Sequence, residues 1–266
     1  MSKLPAYKAF ALRYATMDSR TRGDNFIFTD MHDAVMPIDY FVWAIQDDDR
    51  TIVIDTGFNK IDGERRGRTF LRSPADLLKL IDIDTNTVRD VIVTHMHYDH
   101  IGNLDLFPAA TFHLQDSEVA YATGRYMCHW VLSQAFDVEH VTDLVRRVYS
   151  GHVRFHEGEA QIAPGVTVHR VGGHSGGLQV VRVYTERGWL VLASDASHFV
   201  ENRTRRSPFP VVLHVGEMLE GYRICEELAS GEDMIIPGHD PQVLERWPRW
   251  LENEPDIVRI DLAPLS

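Results

Sequence analysis

Short apolar runs that end at turn or polar residues are the dominant pattern along this chain. Three such runs cover residues 51–55, 90–94 and 189–193, and a polar side chain stands at or just after the end of each. Apolar runs of this length bounded by turn signals are typical of buried strands. Alternating apolar and polar positions predict further strands at 111–114, 166–169 and 179–184.

Helical patterns fall between these strands. Ser73 followed by Pro74 has the form of a helix cap with proline in the first turn. Longer helical regions are predicted over 117–149 and 216–228. Because strands and helices alternate irregularly, we expect a single α/β domain over residues 1–266, with two sheets and helices outside them.

Residues 116–158 separate the first histidine cluster from the next candidate ligand, and we interpret them as a helical insertion. The segment is suited to covering a pocket or contacting a second subunit, and a surface helical pair packed on the core is an equal alternative. Its aromatic, Met and His residues are Tyr121, Tyr126, Met127, His129, Trp130 and Phe136.

Composition narrows the function classes. The 266 residues are 44% hydrophobic and 25% charged, the balance of a folded globular protein. The formal net charge of −12 argues against nucleic acid and anionic membranes, which bind basic surfaces. No run approaches the roughly 20 apolar residues of a membrane span, and the first residues lack the apolar core of a secretory signal. We therefore expect a cytoplasmic protein that acts on a small molecule.

A cluster of metal-binding residue types follows the run 90–94. His95, His97 and His100 lie within six residues, with Asp99 before the last. At a strand end His95 and His97 point the same way, and the next turn brings Asp99 and His100 toward a common centre. Imidazole and carboxylate groups suit zinc and similar divalent ions. The sequence therefore predicts a metal site here.

Three later segments offer further ligands at predicted strand ends. His174 stands in the glycine-rich loop 172–177, where the backbone can approach a metal closely. Asp195 follows the run 189–193, and His239 follows the apolar residues 234–236. Their positions predict that they join the first cluster.

In order and type, these motifs resemble the metallo-β-lactamase superfamily over nearly the whole length, from residues 54–57 to His239. The resemblance implies a four-layer αββα sandwich with two divalent metal ions at one edge of the paired sheets. By this resemblance the ligands of the first ion are His95, His97 and His174. Those of the second are Asp99, His100 and His239. Asp195 bridges the two ions, and Asp55 orients a ligand from outside.

The other histidines are interpreted as exposed or structural. Among them are His32, His113, His140, His152, His156 and His169. Zinc is the default metal, with iron and manganese as alternatives.

The implied chemistry is hydrolysis by a metal-bridging hydroxide, with no covalent intermediate. Asp99 or Asp195 passes a proton to the leaving oxygen. A non-catalytic reading, with structural metals only, predicts a closed coordination shell, whereas this ligand set leaves room for water. A flavin-linked diiron relative predicts a fused flavodoxin-like domain, which the sequence lacks.

Within the superfamily the spacing from Asp195 to His239 looks most like the N-acyl homoserine lactonase group, which implies a lactone or similar cyclic ester as substrate. The alternative is a thioesterase resembling glyoxalase II, or an amide or ester hydrolase on the same metal core. Glyoxalase II usually continues into a C-terminal helical domain, and only 27 residues follow His239 here.

One departure from the lactonase group concerns the substrate. The group commonly has a tyrosine three residues after the bridging aspartate, and this chain has His198. A histidine there can donate a hydrogen bond to the developing oxyanion or serve as an acid. His198, Phe199 and the aromatic residues of the insertion are the specificity candidates. The apolar segment 25–28 and the insertion are candidates for a homodimer contact.

Overall fold

The computed structural model describes residues 4–28 and 34–265. His32, one of the histidines interpreted as structural, lies outside these residues. Within the described ranges no helix combines the length and apolar character needed to cross a bilayer.

The first sheet runs in the order β13-β1-β2-β3-β5-β6-β7, with β4 paired to β1. Its strands are β1 (Lys8–Met17), β2 (Ile38–Gln46), β3 (Thr51–Ile54), β4 (Thr69–Phe70), β5 (Asp90–Ile92), β6 (Thr111–Gln115), β7 (Val153–His156) and β13 (Ile257–Arg259). Strands β3, β5, β6 and β7 are parallel to one another, whereas β13, β1, β2 and β3 pair antiparallel.

The second sheet runs in the order β12-β11-β10-β9-β8. Its strands are β8 (Glu159–Ala163), β9 (Val166–Arg170), β10 (Gln179–Thr185), β11 (Gly188–Ser194) and β12 (Ile235–Pro237). Neighbours from β8 to β11 pair antiparallel, and β12 is parallel to β11. Strands β9, β11 and β12 therefore end at the same edge.

Helices connect the strands. They are α1 (Lys60–Arg65), α2 (Pro74–Lys79), α3 (Tyr98–Ile101), α4 (Asp116–Ala122), α5 (Trp130–Ser133), α6 (Val138–Tyr149), α7 (Val200–Thr204), α8 (Val215–Leu228) and α9 (Gln242–Arg246). As predicted, α2 begins after Ser73, whose side chain accepts the Ala75 amide, with Pro74 in the first turn.

Neighbouring side chains along each strand pack into different hydrophobic cores, and these cores separate the layers of the fold. Leu12 and Val42 of the first sheet share a core with Leu77 of α2 and Leu144 of α6. Successive side chains of a strand point to opposite faces. Trp43, next to Val42, accordingly belongs to a different core.

The second core lies between the sheets, and the third lies outside the second sheet. Trp43 packs in one cluster with Val181 of β10 and Leu192 of β11. Val191 of β11 faces the other way, in a cluster with Cys225 of α8. Helices, sheet, sheet and helix therefore form four layers, and the predicted αββα sandwich is confirmed.

The longest strands, β1 and β2, were not among the strands that the sequence pattern predicted. Their residues are buried on both faces, with Phe10 and Tyr40 in one core and Ala11 and Phe41 in the other. A strand covered on both faces loses the alternation that marks a half-exposed strand.

The segment 116–158 differs from one continuous helical insertion. It contains α4, α5 and α6 but ends in strand β7 at the edge of the first sheet. A 3-10 turn, Arg125–Cys128, interrupts the helical region predicted over 117–149.

The segment 25–28 packs largely within its own chain. Phe26 is buried, the amide of Ile27 donates to the carbonyl of Pro208 at 2.7 Å, and the Asn202 side chain donates to the carbonyl of Asn25 at 2.9 Å. Phe28 alone of its apolar side chains is largely exposed, at 72%. The homodimer stays a prediction, and this segment offers it a smaller apolar surface than the sequence suggests.

Candidate active site

The structure brings the predicted ligands together at one edge of the sheets. His95 and His97 follow β5, and Asp195 follows β11 directly. His174 lies in the loop after β9, and His239 lies two residues after β12. All of these side chains are at least nine-tenths buried. The end of an apolar strand thus positions each group, as the sequence predicts.

His95, His97, His174 and Asp195 form the first group of ligand atoms. Nδ1 of His97 lies 3.0 Å from Nε2 of His95 and 2.9 Å from Nε2 of His174. Oδ2 of Asp195 lies 3.1 Å from Nε2 of His174 and 3.7 Å from Nε2 of His95. Ligands at roughly 2.0–2.1 Å from a tetrahedral ion are separated by roughly 3.3 Å. These atoms therefore have the spacing that one shared ion requires.

Asp99, His100 and His239 form the second group. Oδ2 of Asp99 lies 3.7 Å from Nε2 of His100 and 3.8 Å from Nε2 of His239. Oδ1 of Asp195 lies 3.0 Å from Nε2 of His239 and 3.3 Å from Nε2 of His100. The two carboxylate oxygens of Asp195 therefore face different groups.

The chemistry of these donors fits divalent cations. Three ring nitrogens meet at Nδ1 of His97. Each neutral imidazole has only one N–H, so hydrogen bonds cannot satisfy all of these contacts, whereas a cation accepts a lone pair from every nitrogen. Nε2 of His100 is buried without a hydrogen-bond partner among the described residues. Burial holds the pKa of His95 and of His97 well below the usual histidine value, which keeps their lone pairs free. The ligand assignment stays a prediction that this geometry supports.

Buried acceptors orient the outer nitrogens of two candidate ligands. Nδ1 of His100 lies 2.7 Å from Oδ2 of Asp55, and Nδ1 of His239 lies 2.7 Å from the carbonyl of Asp39. Asp55 also accepts from the amide and hydroxyl of Thr94. Such contacts direct Nε2 toward the centre of the site. Asp55 has the position expected of an orienting carboxylate.

Asp55 has an unusual backbone, with φ of 61° at the end of β3. Ser194 has φ of 46° at the end of β11, and its hydroxyl lies 2.9 Å from that of Thr94. Left-handed conformations cost of order 1–3 kcal/mol in residues with a side chain. Both strained residues adjoin candidate metal ligands, because Asp55 contacts His100 and Ser194 directly precedes Asp195.

Glu118 is a supporting residue that sequence reasoning missed. It is fully buried in α4, where Oε1 accepts the Met96 amide at 2.8 Å. Oε2 accepts the Ser175 hydroxyl at 2.8 Å and the Gly177 amide at 2.7 Å. Glu118 thereby joins the segment that carries His97 to the loop that carries His174. Nothing local in the sequence distinguishes it from an exposed helical glutamate.

Replacing Glu118 by glutamine should weaken metal binding because an amide group would face donors on every side. We expect zinc affinity to fall about 10- to 100-fold and the free energy of unfolding to fall by about 1–3 kcal/mol. Chelator competition and thermal unfolding measure these changes. Glu139→Gln, at an exposed position on α6, is the matched control. Unchanged zinc affinity in Glu118→Gln would show that Glu118 does not position the ligands.

The glycines around His174 serve packing against helices. A Cβ atom on Gly177 would come within 2.3 Å of the Glu118 amide nitrogen, and one on Gly173 would come within 2.5 Å of the Met218 amide nitrogen. These glycines are required by close packing against α4 and α8, and the close approach of the loop to a metal stays a prediction. Gly238 is different, because its Cβ would lie 3.1 Å from Oδ1 of Asp195.

His198 lies closer to the ligands than the sequence indicates. Its Nε2 is 3.0 Å from Oδ2 of Asp195 and forms a third potential ligand group with Asp195 and His239. Its ring stacks on Phe209, with centroids 3.8 Å apart and planes at 7°. Burial lowers the pKa of His198 to about 3, so the ring is neutral at neutral pH. This favours a hydrogen-bond donor over an acid.

The pocket over these groups has a volume of about 80 Å³. It is lined by Arg20, Ile38, Tyr40, Arg68, His97, Tyr98, Asp99, Ala135, His174, Asp195, His198, Phe209, Val211 and His239. The arginines, Tyr40 and Phe209 were not predicted, because they come from segments with no motif.

The specificity candidates divide between core and pocket. Phe199 belongs to the core and does not line the pocket, so its prediction as a specificity residue is wrong; Phe209 provides the aromatic ring instead. In the insertion, Phe136 packs edge-on against His97 at 4.6 Å, whereas Trp130 is 74% exposed. The insertion therefore contributes through its middle part, around Phe136.

Comparison with known proteins identifies the family. The sequence model of the Metallo-beta-lactamase superfamily matches residues 37–242. A probable metallo-hydrolase of Mycobacterium tuberculosis is 26% identical over 227 residues, covering 76% of this chain and 72% of the relative. An N-acyl homoserine lactonase of Bacillus thuringiensis is 26% identical over 168 residues, covering 62% of this chain and 61% of the relative.

A crystal structure of a quorum-quenching N-acyl homoserine lactone lactonase has a similar fold. It superposes with a TM-score of 0.72 at 21% identity, covering 91% of this chain and 95% of that one. The chain belongs to the metallo-β-lactamase superfamily. With a cluster of His and Asp side chains suited to metal, it is a metal-dependent hydrolase with lactonase-like relatives.

Proposed function

We propose that this protein is a dinuclear metal-dependent hydrolase that opens a lactone or a similar cyclic ester. One observation carries the proposal: Asp195 presents one carboxylate oxygen to each of two separate groups of ligand atoms. A bidentate bridge of this kind suits a pair of divalent ions. Zinc is the expected metal because imidazole nitrogen and carboxylate oxygen both suit it.

Two divalent ions held by these two groups of side chains would supply an activated water as the nucleophile at neutral pH and would polarise the ester carbonyl. The chain's own residues then fix the geometry and move the proton. Asp195 holds both ligand groups at a constant separation. Asp99 lines the pocket, where its carboxylate can carry the proton from the nucleophile to the ring oxygen that leaves. The product is a hydroxy acid.

His198 is proposed to bind the carbonyl oxygen as its negative charge develops. A carboxylate only accepts hydrogen bonds, so the Nε2 that faces Asp195 carries the ring proton. That N–H lies on the pocket, where it can be shared between Asp195 and the carbonyl oxygen, and the stack on Phe209 holds the ring in place. Fixed donors of this kind act on charge that appears only during the reaction.

Replacing His198 by phenylalanine should keep the stack on Phe209 and remove the donor. We expect kcat to fall on the order of 100-fold, with the bound metal unchanged, and His198→Tyr to recover part of the rate. Steady-state kinetics and metal analysis are measured together. An unaltered kcat in His198→Phe excludes the donor role, and loss of one metal equivalent would make His198 a ligand instead.

The pocket volume supports a compact substrate. About 80 Å³ is room for a few water molecules, which suits a small ring better than a long acyl chain. The test is a hydrolysis screen with a pH indicator over γ-butyrolactone, δ-valerolactone, N-butanoyl homoserine lactone, acyl thioesters and cyclic amides. Lactones should be opened fastest. Faster cleavage of thioesters would favour the thioesterase alternative.

The cytoplasmic location and the homodimer remain predictions. Fractionation of the native cells tests the first. Sedimentation of the metal-loaded protein tests the second.

A further inference from the structure

Two guanidinium groups line the pocket that holds the candidate metal ligands. Arg20 lies in the turn after β1, and Arg68 lies between α1 and β4. Both border the same cavity as Asp99, His198 and His239. Sequence reasoning gave neither residue a role, and the proposed hydrolysis uses neither.

The hydrogen bonds of both arginines go to uncharged groups. Arg68 donates from Nε to the Tyr98 hydroxyl at 3.0 Å and from Nη1 to the Arg66 carbonyl at 2.7 Å and the Met17 sulfur at 3.2 Å. Its Nη2 makes no hydrogen bond within the described residues. Three of its five N–H groups are thus directed at neutral partners, and the two N–H groups of Nη2 remain available.

Arg20 has the same character. It donates from Nε to the side-chain oxygen of Asn25 at 2.7 Å and from Nη2 to the carbonyl of Asp24. Its Nη1 is also without a partner in the described part of the chain. No carboxylate of residues 4–28 or 34–265 forms an ion pair with Arg20 or Arg68. Many other arginines, Arg13 and Arg72 among them, do form such pairs.

One aromatic layer separates the two guanidinium groups from the candidate ligands. Arg20 lies over the ring of Phe209 at 4.8 Å, and that ring stacks on His198. Arg68 lies 5.9 Å from the ring of Tyr40, whose centroid is 5.2 Å from that of His239. Because both arginines also line the pocket that holds these ligands, a substrate ring with its ester at the metal ligands reaches them with a substituent.

Two cations without counter-ions are unexpected in this protein, which has 39 acidic and 27 basic side chains. Burial lowers the pKa of Arg20, and the nearby charge of Arg68 adds to this effect. The pKa of Arg68 itself is raised, despite its burial, by Tyr98, Tyr40 and Asp99. Like charges left close together in a partly desolvated pocket cost stability that a bound anion recovers. Planar guanidinium forks match carboxylate and phosphate oxygens.

We propose that Arg20 and Arg68 form an anion-binding subsite, so that the cyclic ester opened in this pocket carries an oxyanion substituent, a carboxylate or a phosphate. The inference rests on the proposed function and adds a substrate class to it. It separates this chain from an enzyme for N-acyl homoserine lactones, which are uncharged.

Matched substrates test the subsite in the zinc-loaded enzyme. The first pair is 5-oxotetrahydrofuran-2-carboxylate and its neutral carboxamide, and the second is glucono-δ-lactone with and without a 6-phosphate. We expect the charged member of at least one pair to have the higher kcat/KM. The pair that shows the preference identifies the oxyanion.

Arg20→Gln and Arg68→Gln should each raise KM for the preferred charged substrate on the order of tenfold to a hundredfold, because each loses a charge-assisted hydrogen bond. The neutral partner should change less than about threefold. Arg68→Lys keeps the positive charge but loses the planar guanidinium group. Its KM for the charged substrate should lie between those of the wild type and Arg68→Gln. Arg223→Gln is the control, because it removes one positive charge from the exposed surface of α8. Equal effects on charged and neutral substrates would overturn the proposal.

A binding measurement separates this inference from the proposed hydrolysis. Calorimetry compares tetrahydrofuran-2-carboxylate with its carboxamide, neither of which contains a lactone. The wild type should bind the carboxylate more tightly, and the preference should disappear in the Arg20→Gln, Arg68→Gln double variant with an unfolding temperature near that of the wild type. If the double variant does not fold, Arg68→Lys takes its place. If the preference for the carboxylate survives the substitutions, the subsite is contradicted even if the enzyme opens lactones. If the preference is lost, the subsite is supported even if the enzyme opens no lactone.

Discussion

Asp195→Asn is expected to abolish turnover. The side chain contacts both groups of candidate ligands and His198, with three of its contacts at 3.0–3.1 Å. Nearby histidine charges hold the pKa of this carboxyl well below its usual value even though burial alone would raise it. Removing one partner from a buried charge network lowers the free energy of unfolding by about 3–5 kcal/mol. A site that no longer holds both ions also loses the activated nucleophile they would supply, and we expect the rate to fall on the order of a thousandfold.

The expected signature of Asp195→Asn is a loss of kcat together with a loss of bound metal. An asparagine oxygen can replace one contact, and its amide nitrogen cannot serve as the second ligand. Steady-state kinetics and metal analysis on the same preparation measure both changes. Asp261→Asn is the matched control, since Asp261 is also buried and charge-paired but lies at the Ala9 amide and Arg259. Retention of more than a tenth of the wild-type rate would contradict the bridging role.

The second large effect is expected from metal removal. Histidines and two carboxylates converge in a buried site, and the histidines include His95, His97, His100 and His239. The apoprotein must keep this arrangement without its cations. Ions present at about 1,000 times their dissociation constant stabilise the folded state by about 4 kcal/mol. For a domain of this size, that corresponds to an unfolding temperature lower by roughly 10 °C in the apoprotein.

Chelation followed by removal of the chelator should therefore eliminate hydrolysis and lower the unfolding temperature together. Zinc, iron, manganese and cobalt added back separately identify the metals that restore the rate. Undiminished activity in protein with less than a tenth of an equivalent of metal would rule out metal-dependent catalysis. Recovery of the unfolding temperature without activity would assign the ions a structural role only.

The sequence predicted which side chains meet at this edge because each belongs to a short local signal. His95 to His100 follow a single apolar run, and Asp195 and His239 follow others. In a layered sandwich the ends of such strands meet at one edge, so local patterns carry long-range information. The arrangement of two sheets with helices outside was predicted from the same patterns, whereas strands β1 and β2, buried on both faces, were not.

The supporting residues were not predictable, because their roles arise only from tertiary contacts. Glu118 has three hydrogen-bond donors from two distant loops, and nothing in its own segment marks it as buried. Arg20 lies at the pocket because it packs over the ring of Phe209, which is nearly 190 residues away in the chain. Phe199 was misassigned because proximity to Asp195 in sequence did not reveal which way its ring points.

Lactone hydrolysis by apoprotein titrated with zinc, with bound metal determined at every step, tests the dinuclear site directly. We predict that the rate rises steeply only as occupancy approaches two ions per chain and then remains constant. A full rate at one ion per chain would contradict the dinuclear site. The absence of lactone opening with two ions bound would contradict the proposed reaction.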